Sequence, residues 1–295
     1  MSNKQWDGKS YGTPLGYKIF IFFFKYLGIR FAYINLTYVV LFFLIKCHKE
    51  RKCIWQYYRK IHKFGVLKSI AKLYAHFFVF AQTLVDKMAI KYGFSHKYKF
   101  YFENVEKAEE LMNSSKGAIY LGAHIGAWEV GAHIFSKYKK VMNVLMWDAE
   151  YQKIKELISK DKNAGYEIIS INKDSVEAIL KIKSALNNGD IVGIQADRYI
   201  DEKRKREVSF LGEMAEFPEG PFLLASKLRA PVVIYFALRE KMSYRFFFKV
   251  IDNTDKLQTK ENEEKIFNEY LTLLEDVVRR YPQQWFNFYP FWNKL

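Results

Sequence analysis

Residues 96–295 alternate between short apolar runs and longer stretches in which apolar positions recur at helical spacing. The short runs have the length of buried strands, and the longer stretches between them have the length of helices. The clearest helical spacing lies at 175–186 and 261–280, and Asn187-Asn-Gly189 is a good stop for the first of these helices. The pattern predicts an α/β fold with a largely parallel central sheet flanked by helices. Its predicted strands are 98–102, 118–121, 141–146, 167–171, 191–195, 232–237 and 246–250.

The first 95 residues follow a different pattern. The stretches 19–24 and 31–45 are the most apolar, and Lys25, Gly28 and Arg30 separate them. Neither stretch reaches the roughly 20 residues that a membrane-spanning helix needs, which favours shallow or embedded helices. The alternative is a single membrane-spanning helix over 19–45, in which Lys25 and Arg30 reach the membrane interface or face protein. Residues 55–92 are amphipathic, so they could also pack as a helical layer on the rest of the chain.

The net charge lies in the N-terminal third. Residues 1–100 contain eighteen Lys and Arg but three Asp and Glu, which accounts for the net charge of +15 of the whole chain. The residues around these cations are Phe, Tyr and Leu in long runs. They do not have the pattern of a helix or strand platform that reads nucleic acid, so no nucleic acid partner is expected. An anionic membrane surface explains both features, because each nearby Lys or Arg contributes about 1 kcal/mol to binding. No small-residue cleavage site follows the apolar run, so we expect the α/β part to stay in the cytoplasm.

His124 and Glu129 lie where the strand at 118–121 passes into a predicted helix at 126–135. Ligands bind at the carboxyl edge of an open parallel sheet, and this is where the pair is expected. An imidazole accepts a proton near neutral pH, and a neighbouring carboxylate fixes its tautomer. The spacing therefore predicts His124 as a general base that Glu129 orients. A buried histidine beside a surface glutamate is the alternative, because the motif is short.

Further polar residues are expected at the same edge. Asp197 and Arg198 follow the strand at 191–195 and are predicted to shape the floor of the site or to hold an anionic group. Arg239, at the end of the strand that begins at 232, is a weaker candidate of the same type. The basic cluster at 203–206 is more typical of a solvated hairpin with a salt-bridged tip. Two cysteines and scattered histidines do not form a metal-binding pattern, so no metal and no cofactor are expected.

Five blocks in order carry a resemblance to a known family. They are His124-Ile-Gly-Ala-Trp-Glu129, Gly189-Asp-Ile-Val-Gly-Ile-Gln-Ala-Asp-Arg-Tyr199, Val208-Ser-Phe-Leu-Gly212, Gly220-Pro-Phe-Leu-Leu-Ala225 with Arg229-Ala-Pro-Val-Val233, and Pro282-Gln-Gln-Trp-Phe286. The chain resembles the lysophospholipid acyltransferase superfamily, in the branch of the lipid A late acyltransferases. It is most similar to predicted acyltransferases associated with acylated bacterial surface lipids and aryl-polyene pigments. The ordered set is much more specific than any single block.

The resemblance implies a glycerolphosphate-acyltransferase-like fold and an O-acyltransferase that needs no cofactor. It implies an acyl carrier protein or CoA thioester as donor and a membrane lipid as acceptor, at the cytoplasmic face of the cell inner membrane. His124 would be the base, while backbone N–H groups at the start of the Gly126 helix and Arg198 would stabilise the oxyanion. The implied organisation is a basic, apolar, helical membrane-associating region at 1–95 and an α/β acyltransferase catalytic domain at 96–295.

Several alternatives remain open at this point. An aryl-polyene pigment could replace the lipid as acceptor, since the arginine-bearing block of many relatives is missing and the basic residues at 148–172 are all lysines. A membrane-bound thioester hydrolase would use the same two residues with water, and a non-catalytic lipid-binding protein would need neither.

The aromatic run at 285–292 is predicted to wall an acyl groove, to lie at the membrane interface or to pack in the core. Pro218 is expected near the first turn of the helix that follows it.

Overall fold

The computed structural model describes Phe22 and residues 26–147, 166–171, 176–199, 204–253 and 258–292. In these ranges the helices are α1 (Ile29–Lys46), α2 (His48–Gln56), α3 (Val66–Ala89), α4 (Glu106–Asn113), α5 (Trp128–Phe135), α6 (Val176–Asn187), α7 (Gly220–Leu228) and α8 (Thr259–Arg280). The strands are β1 (Lys99–Glu103), β2 (Ala118–Gly122), β3 (Met142–Trp147), β4 (Glu167–Ile171), β5 (Ile191–Gln195), β6 (Lys205–Phe210), β7 (Glu213–Pro218), β8 (Val232–Glu240) and β9 (Ser243–Ile251). Single π-helical turns at Tyr57–Ile61 and Ile90–Phe94 extend α2 and α3.

Seven strands form one sheet in the order β1-β9-β8-β2-β5-β3-β4. Neighbouring strands are parallel except β8 and β9, which pair antiparallel along their whole length. Every residue of β2 is buried, as expected for a central parallel strand covered on both faces by helices. The predicted α/β fold with a largely parallel sheet and flanking helices is confirmed. The strands β6 and β7 form a separate antiparallel hairpin.

Two local predictions have different outcomes. The stop at Asn187-Asn-Gly189 is confirmed, because α6 ends at Asn187 and Gly189 has a φ of +82°. Pro218 lies near the start of α7, as expected, but it ends β7 two residues before the helix begins at Gly220, and Pro221 is the proline in the first turn. Proline is favoured in the first turn of a helix because the N–H group that it lacks would have no acceptor within the helix there.

The helix α1 has one buried and one exposed apolar side. Its buried residues recur every three or four positions and are Ile29, Ala32, Leu36 and Val40. Its opposite side exposes large apolar residues, including Ile34, Tyr38, Leu41, Phe42 and Ile45. The helix has 18 residues with a mean hydropathy of 1.6, long and apolar enough to cross a membrane, and 22% of it is buried in the protein. The predicted apolar stretch at 19–24 lies outside the described residues apart from Phe22.

The N-terminal helices and the sheet share their hydrophobic core. Val40, Tyr58 and Phe77 belong to one buried cluster with residues of β2, β5 and α8. Ile29 and Val85 belong to a second cluster on the other side of the sheet. The division of the chain at residue 95 stays a prediction, since α3 packs on the same core as the strands.

The aromatic run at 285–292 lies in the core. Trp285 and Phe291 are almost fully buried, and their rings contact each other and Phe210 of the hairpin. Phe286 and Phe288 pack on Phe80 of α3. Of the three predicted roles for this run, the structure shows core packing.

Asp86 of α3 is a buried carboxylate that binds four side chains from different elements. Its Oδ2 atom accepts hydrogen bonds from Arg239 Nε at 2.7 Å and Tyr244 OH at 2.6 Å. Its Oδ1 atom accepts one from Tyr98 OH at 2.9 Å and a short one from Tyr33 OH of α1. Burial, followed by the charge of Asp86, raises the pKa of Tyr244 well above its ordinary value, so this hydroxyl stays a donor. The cluster joins α1 and α3 to the end of β8.

We expect Asp86→Asn to destabilise the protein by about 3–5 kcal/mol, because it leaves the Arg239 guanidinium buried without its counter-charge. Asp276→Asn is the matched control, since Asp276 pairs with Arg280 at the exposed surface of α8. Thermal unfolding of the two variants in detergent measures the effect. Equal unfolding temperatures would show that the buried pair does not stabilise the fold.

Candidate active site

The register of β2 and β5 brings His124 and Asp197 together. These neighbouring parallel strands pair Gly122 with Gln195, and both strands end at that pair. His124 and Asp197 each lie two residues beyond the end of their strand. They therefore meet at the carboxyl edge of the sheet, where ligands bind in open α/β folds.

The His124 imidazole binds the Asp197 carboxylate directly. The two atoms His124 Nδ1 and Asp197 Oδ1 lie 2.7 Å apart. The second oxygen, Oδ2, accepts a hydrogen bond from the backbone N–H of His124 at 3.0 Å and one from Trp285 Nε1 at 3.2 Å. The Asp197 side chain is fully buried, whereas 34% of the His124 side chain is exposed. The protein holds the imidazole at Nδ1, and about a third of the side chain is exposed.

The contacts of Asp197 keep its carboxyl ionised. Burial by itself raises the pKa of this group, but the electrostatic interaction and hydrogen bonds with His124, together with the charge of Arg198, outweigh burial and lower the pKa from 3.8 to about 2. An ionised carboxylate can only accept hydrogen bonds, so His124 Nδ1 must carry the proton. This tautomer leaves the lone pair on Nε2.

Glu129 contacts Lys87. Its Oε1 atom lies 2.7 Å from Lys87 Nζ of α3, and both side chains are partly exposed. The carboxylate that contacts His124 in the structure is therefore that of Asp197, which follows β5, whereas the sequence predicted that of Glu129 in the helix after β2. The role of Glu129 in orienting His124 stays a prediction.

The turn after His124 depends on a glycine. Gly126 has a φ of +63°, and a Cβ atom there would lie 1.9 Å from the carbonyl oxygen of Ala237 on β8. Its N–H donates to Gln284 O, and the N–H of Ala127 donates to Ala237 O, each at 2.8 Å. Both amides bind carbonyls within the protein, which argues against their predicted use as oxyanion donors. The helix α5 begins two residues later, at Trp128.

The two predicted arginines lie in different surroundings. Arg198 Nη2 donates to the carbonyl oxygen of Phe286 at 2.9 Å, so Arg198 lies beside the segment that also contacts His124. Arg239 is paired with Asp86, and 9% of its side chain is exposed. Substrate binding by either residue stays a prediction, and the burial of Arg239 favours a structural role.

The basic cluster near 203–206 is salt-bridged where the structure describes it. Lys205 pairs with Glu216 across the hairpin, and Arg206 pairs with Glu263 and Glu264 of α8. The predicted salt bridges are present, but Lys205 and Arg206 begin β6 at the open end of the hairpin and do not form its tip. In the part of the chain that the structure describes, no group of three or more His, Cys, Asp or Glu is placed to hold a metal ion.

Sequence reasoning missed two residues that contact this site. Trp285 donates to Asp197, and Gln284 binds both Gly126 and the end of β8. Both belong to the Pro282-Gln-Gln-Trp-Phe286 block, which marked them as a motif without indicating their contacts. The equal offset of His124 and Asp197 from their strand ends is visible in the sequence, but it indicates a contact only when β2 and β5 are known to be neighbours.

A family model described as bacterial lipid A biosynthesis acyltransferase matches residues 71–294. The chain belongs to this family. The resemblance inferred from the ordered motifs is thereby confirmed. A search of the curated proteins finds no match.

Membership of the lipid A acyltransferase family supports a lipid acyltransferase activity, with an acyl donor and a lipid acceptor. Lipid A acyltransferases are membrane-associated, and α1 supplies an apolar helix suited to that association. The matched region begins within α3, so the last part of the N-terminal helices belongs to the family region.

The depressed pKa of Asp197 predicts a pH-dependent contribution to stability. A carboxyl whose pKa is lower in the folded protein stabilises the fold above its unfolded value, and this contribution disappears as the pH falls through the folded value. The difference in unfolding free energy between the wild type and Asp197→Asn should therefore be largest above pH 4 and shrink toward about pH 2. Denaturant unfolding at a series of pH values measures it, with Asp276→Asn as the control. A difference that does not change with pH would contradict the assigned ionisation.

Proposed function

We propose that this protein transfers a fatty acyl group from an acyl thioester to a hydroxyl or amine of a membrane lipid. The donor is an acyl carrier protein thioester, or its CoA equivalent, and the acceptor is a lipid A-like molecule or another surface glycolipid. The supporting observation is the contact of a partly exposed imidazole with a buried, ionised carboxylate in a chain of the lipid A acyltransferase family. Donor and acceptor classes follow from the family resemblance.

In the proposed reaction His124 acts as the general base. Asp197 accepts a hydrogen bond from the Nδ1–H group of His124. The lone pair of Nε2 is then available to take the proton of the acceptor hydroxyl. The acceptor oxygen attacks the thioester carbonyl and forms a tetrahedral oxyanion. Collapse of this intermediate breaks the carbon–sulfur bond, and the imidazolium returns the proton to the departing thiolate. Asp197 stabilises the imidazolium while it exists.

Direct attack by the acceptor requires no acyl-enzyme. One Gly-x-Ser-x-Gly match, Gly8-Lys-Ser-Tyr-Gly12, lies ahead of the first apolar run and outside the described residues. No predicted strand precedes it, whereas the motif of serine hydrolases follows a strand. The proton follows a closed path from acceptor to His124 to thiolate, so the proposed chemistry needs no cofactor.

The apolar side of α1 is the proposed contact with the membrane. It exposes Ile34, Tyr38, Leu41 and Ile45 on a chain whose first 100 residues carry the whole net positive charge. Exposed apolar surface of this extent on a helix packed along one side of the protein fits insertion into a lipid interface. We place the protein at the cytoplasmic face of the cell inner membrane, where anionic lipids attract the lysines.

We expect His124→Ala to be nearly inactive, because the acceptor loses its base. Asp197→Asn should lower kcat by roughly 10²–10⁴-fold, since an amide does not stabilise the imidazolium and can favour the wrong tautomer. His96→Ala is the control for His124, because His96 lies on the exposed 3₁₀ turn before β1. An acyl-transfer assay with purified protein, acyl carrier protein thioester and total membrane lipid measures all three. Wild-type turnover by His124→Ala would overturn the proposal.

Glu129→Gln tests which carboxylate orients the base. If Asp197 has this role, Glu129→Gln retains more activity than Asp197→Asn. The reverse order would restore the assignment that the sequence predicted.

Two further measurements identify the reaction and the acceptor. Free fatty acid released without a lipid acceptor would identify a hydrolase. Mass spectrometry of lipids and pigments from cells with and without the gene product would identify the acceptor.

We expect the double variant Ile34→Asp, Leu41→Asp to bind anionic vesicles at least about 100-fold more weakly, because each buried side chain contributes about 1.5 kcal/mol or more. Leu180→Asp is the matched control, since Leu180 is similarly exposed on α6, away from α1. Co-sedimentation with phosphatidylglycerol vesicles measures binding. Equal binding of the double variant and the control would show that α1 does not contact the membrane.

A further inference from the structure

The turn that carries His124 fills a gap along β8. On one side β8 pairs with β9 from Val232 to Glu240. On the other side β2 pairs with β8 only as far as Ile234. Beyond that point Gly126 forms a bridge with Ala237, and the edge of β8 at Arg239 remains for another partner.

The side chain of Gln284 supplies that partner. Its Oε1 atom accepts a hydrogen bond from the backbone N–H of Arg239, and its Nε2 atom donates to the backbone carbonyl of Arg239, both at 2.8 Å. One amide thus binds both backbone groups of one strand residue, as a neighbouring strand would. The residue is buried, with 6% of its surface exposed, so these bonds form away from bulk water.

The backbone of the same segment holds the His124 turn. Gln284 O accepts the N–H of Gly126 at 2.8 Å, and Phe286 N–H donates to the carbonyl oxygen of His124 at 2.7 Å. Between these bonds, Ile125 and Trp285 form an antiparallel bridge. Two backbone hydrogen bonds therefore hold residues 124–126 against the segment that Gln284 attaches to β8.

The strand end that Gln284 binds is itself fixed. The Arg239 side chain pairs with Asp86, and its guanidinium lies over the ring of Tyr33 of α1 at 5.1 Å. The Asp86 cluster, Arg239 and Gln284 form a continuous series of contacts from α1 to the His124 turn.

We propose that Gln284 is a positioning residue for His124, a role that rests on the proposed function. Its amide fixes segment 284–286 against β8, and this segment sets the distance and angle between the imidazole and Asp197. Gln284 does not touch the reacting atoms. Loss of the amide moves the imidazole relative to Asp197 and leaves the substrate-binding surfaces in place.

Gln284→Met tests this role because methionine has a similar length and cannot make either bond to Arg239. We expect kcat to fall about 10- to 100-fold, since small misplacements of a catalytic group have effects of this size. The KM for the acyl donor should stay within about twofold, as binding surfaces are unchanged. Gln283→Met is the matched control, because Gln283 lies in the same 3₁₀ turn and is partly exposed.

The kcat per folded molecule separates positioning from a loss of folded protein. A misplaced imidazole lowers kcat in every folded molecule and leaves the KM for the donor unchanged. A variant that is merely less stable keeps the wild-type kcat once its folded fraction is taken into account. Circular dichroism and thermal unfolding report the folded fraction of each sample.

A wild-type kcat in Gln284→Met would overturn the proposal. A lower activity that the reduced folded fraction explains completely would assign Gln284 a structural role only, which also overturns it. If Gln284→Met does not fold, Gln284→Asn provides the same measurement, because the shorter amide cannot reach both backbone groups of Arg239. Activity of His124→Ala would instead refute the proposed function, independently of any result at Gln284.

Discussion

The arrangement of the site depends on one buried carboxylate. Asp197 accepts hydrogen bonds from the imidazole and backbone of His124 and from Trp285, so it joins the ends of two strands to the C-terminal segment. Burial alone would favour the neutral acid, but the cationic neighbours and the donated hydrogen bonds keep it charged. A charged acceptor in a dry environment constrains its donors strongly. The orientation of the imidazole is a consequence of this constraint.

A second buried carboxylate has a comparable structural effect farther from the site. Asp86 collects an arginine and three tyrosine hydroxyls from elements that are distant in sequence. Such a group is costly to bury without partners and stabilising only when every partner is present. The requirement fixes α1 and α3 against the end of β8. It thereby brings α1, with its exposed apolar side, into the same core as the sheet.

This coupling gives α1 a position that suits a lipid-modifying enzyme. One side of the helix is buried on α3 and the other exposes apolar side chains. A helix with both properties stays attached to the protein while its outer side enters a lipid interface. Under the proposed function, the site and the lipid contact share the hydrophobic core of one fold, and the acceptor does not need to leave the membrane to be acylated.

The sequence alone predicted much of the fold. Continuous apolar runs at 118–121 and 191–195 identified central strands, because a strand covered on both faces has no polar alternation. The same runs located His124 and Asp197 at the carboxyl edge of the sheet. The ordered motifs were sufficient to indicate the family. Helical spacing predicted α6 and α8 to within about two residues.

Only the tertiary structure decided which side chains meet. His124 and Glu129 are close in sequence, but Glu129 lies in the first turn of α5 and pairs with Lys87. Asp197 is 73 residues from His124 and contacts it because β2 and β5 are neighbours in register. Strand order determines such contacts, and local periodicity carries no information about strand order. For the same reason, the sequence did not indicate that Arg239 is buried against Asp86. It also did not indicate that the Gln284 side chain binds the backbone of Arg239. The sequence determined the elements and the residue types at their ends, while long-range packing determined which of those residues form the site.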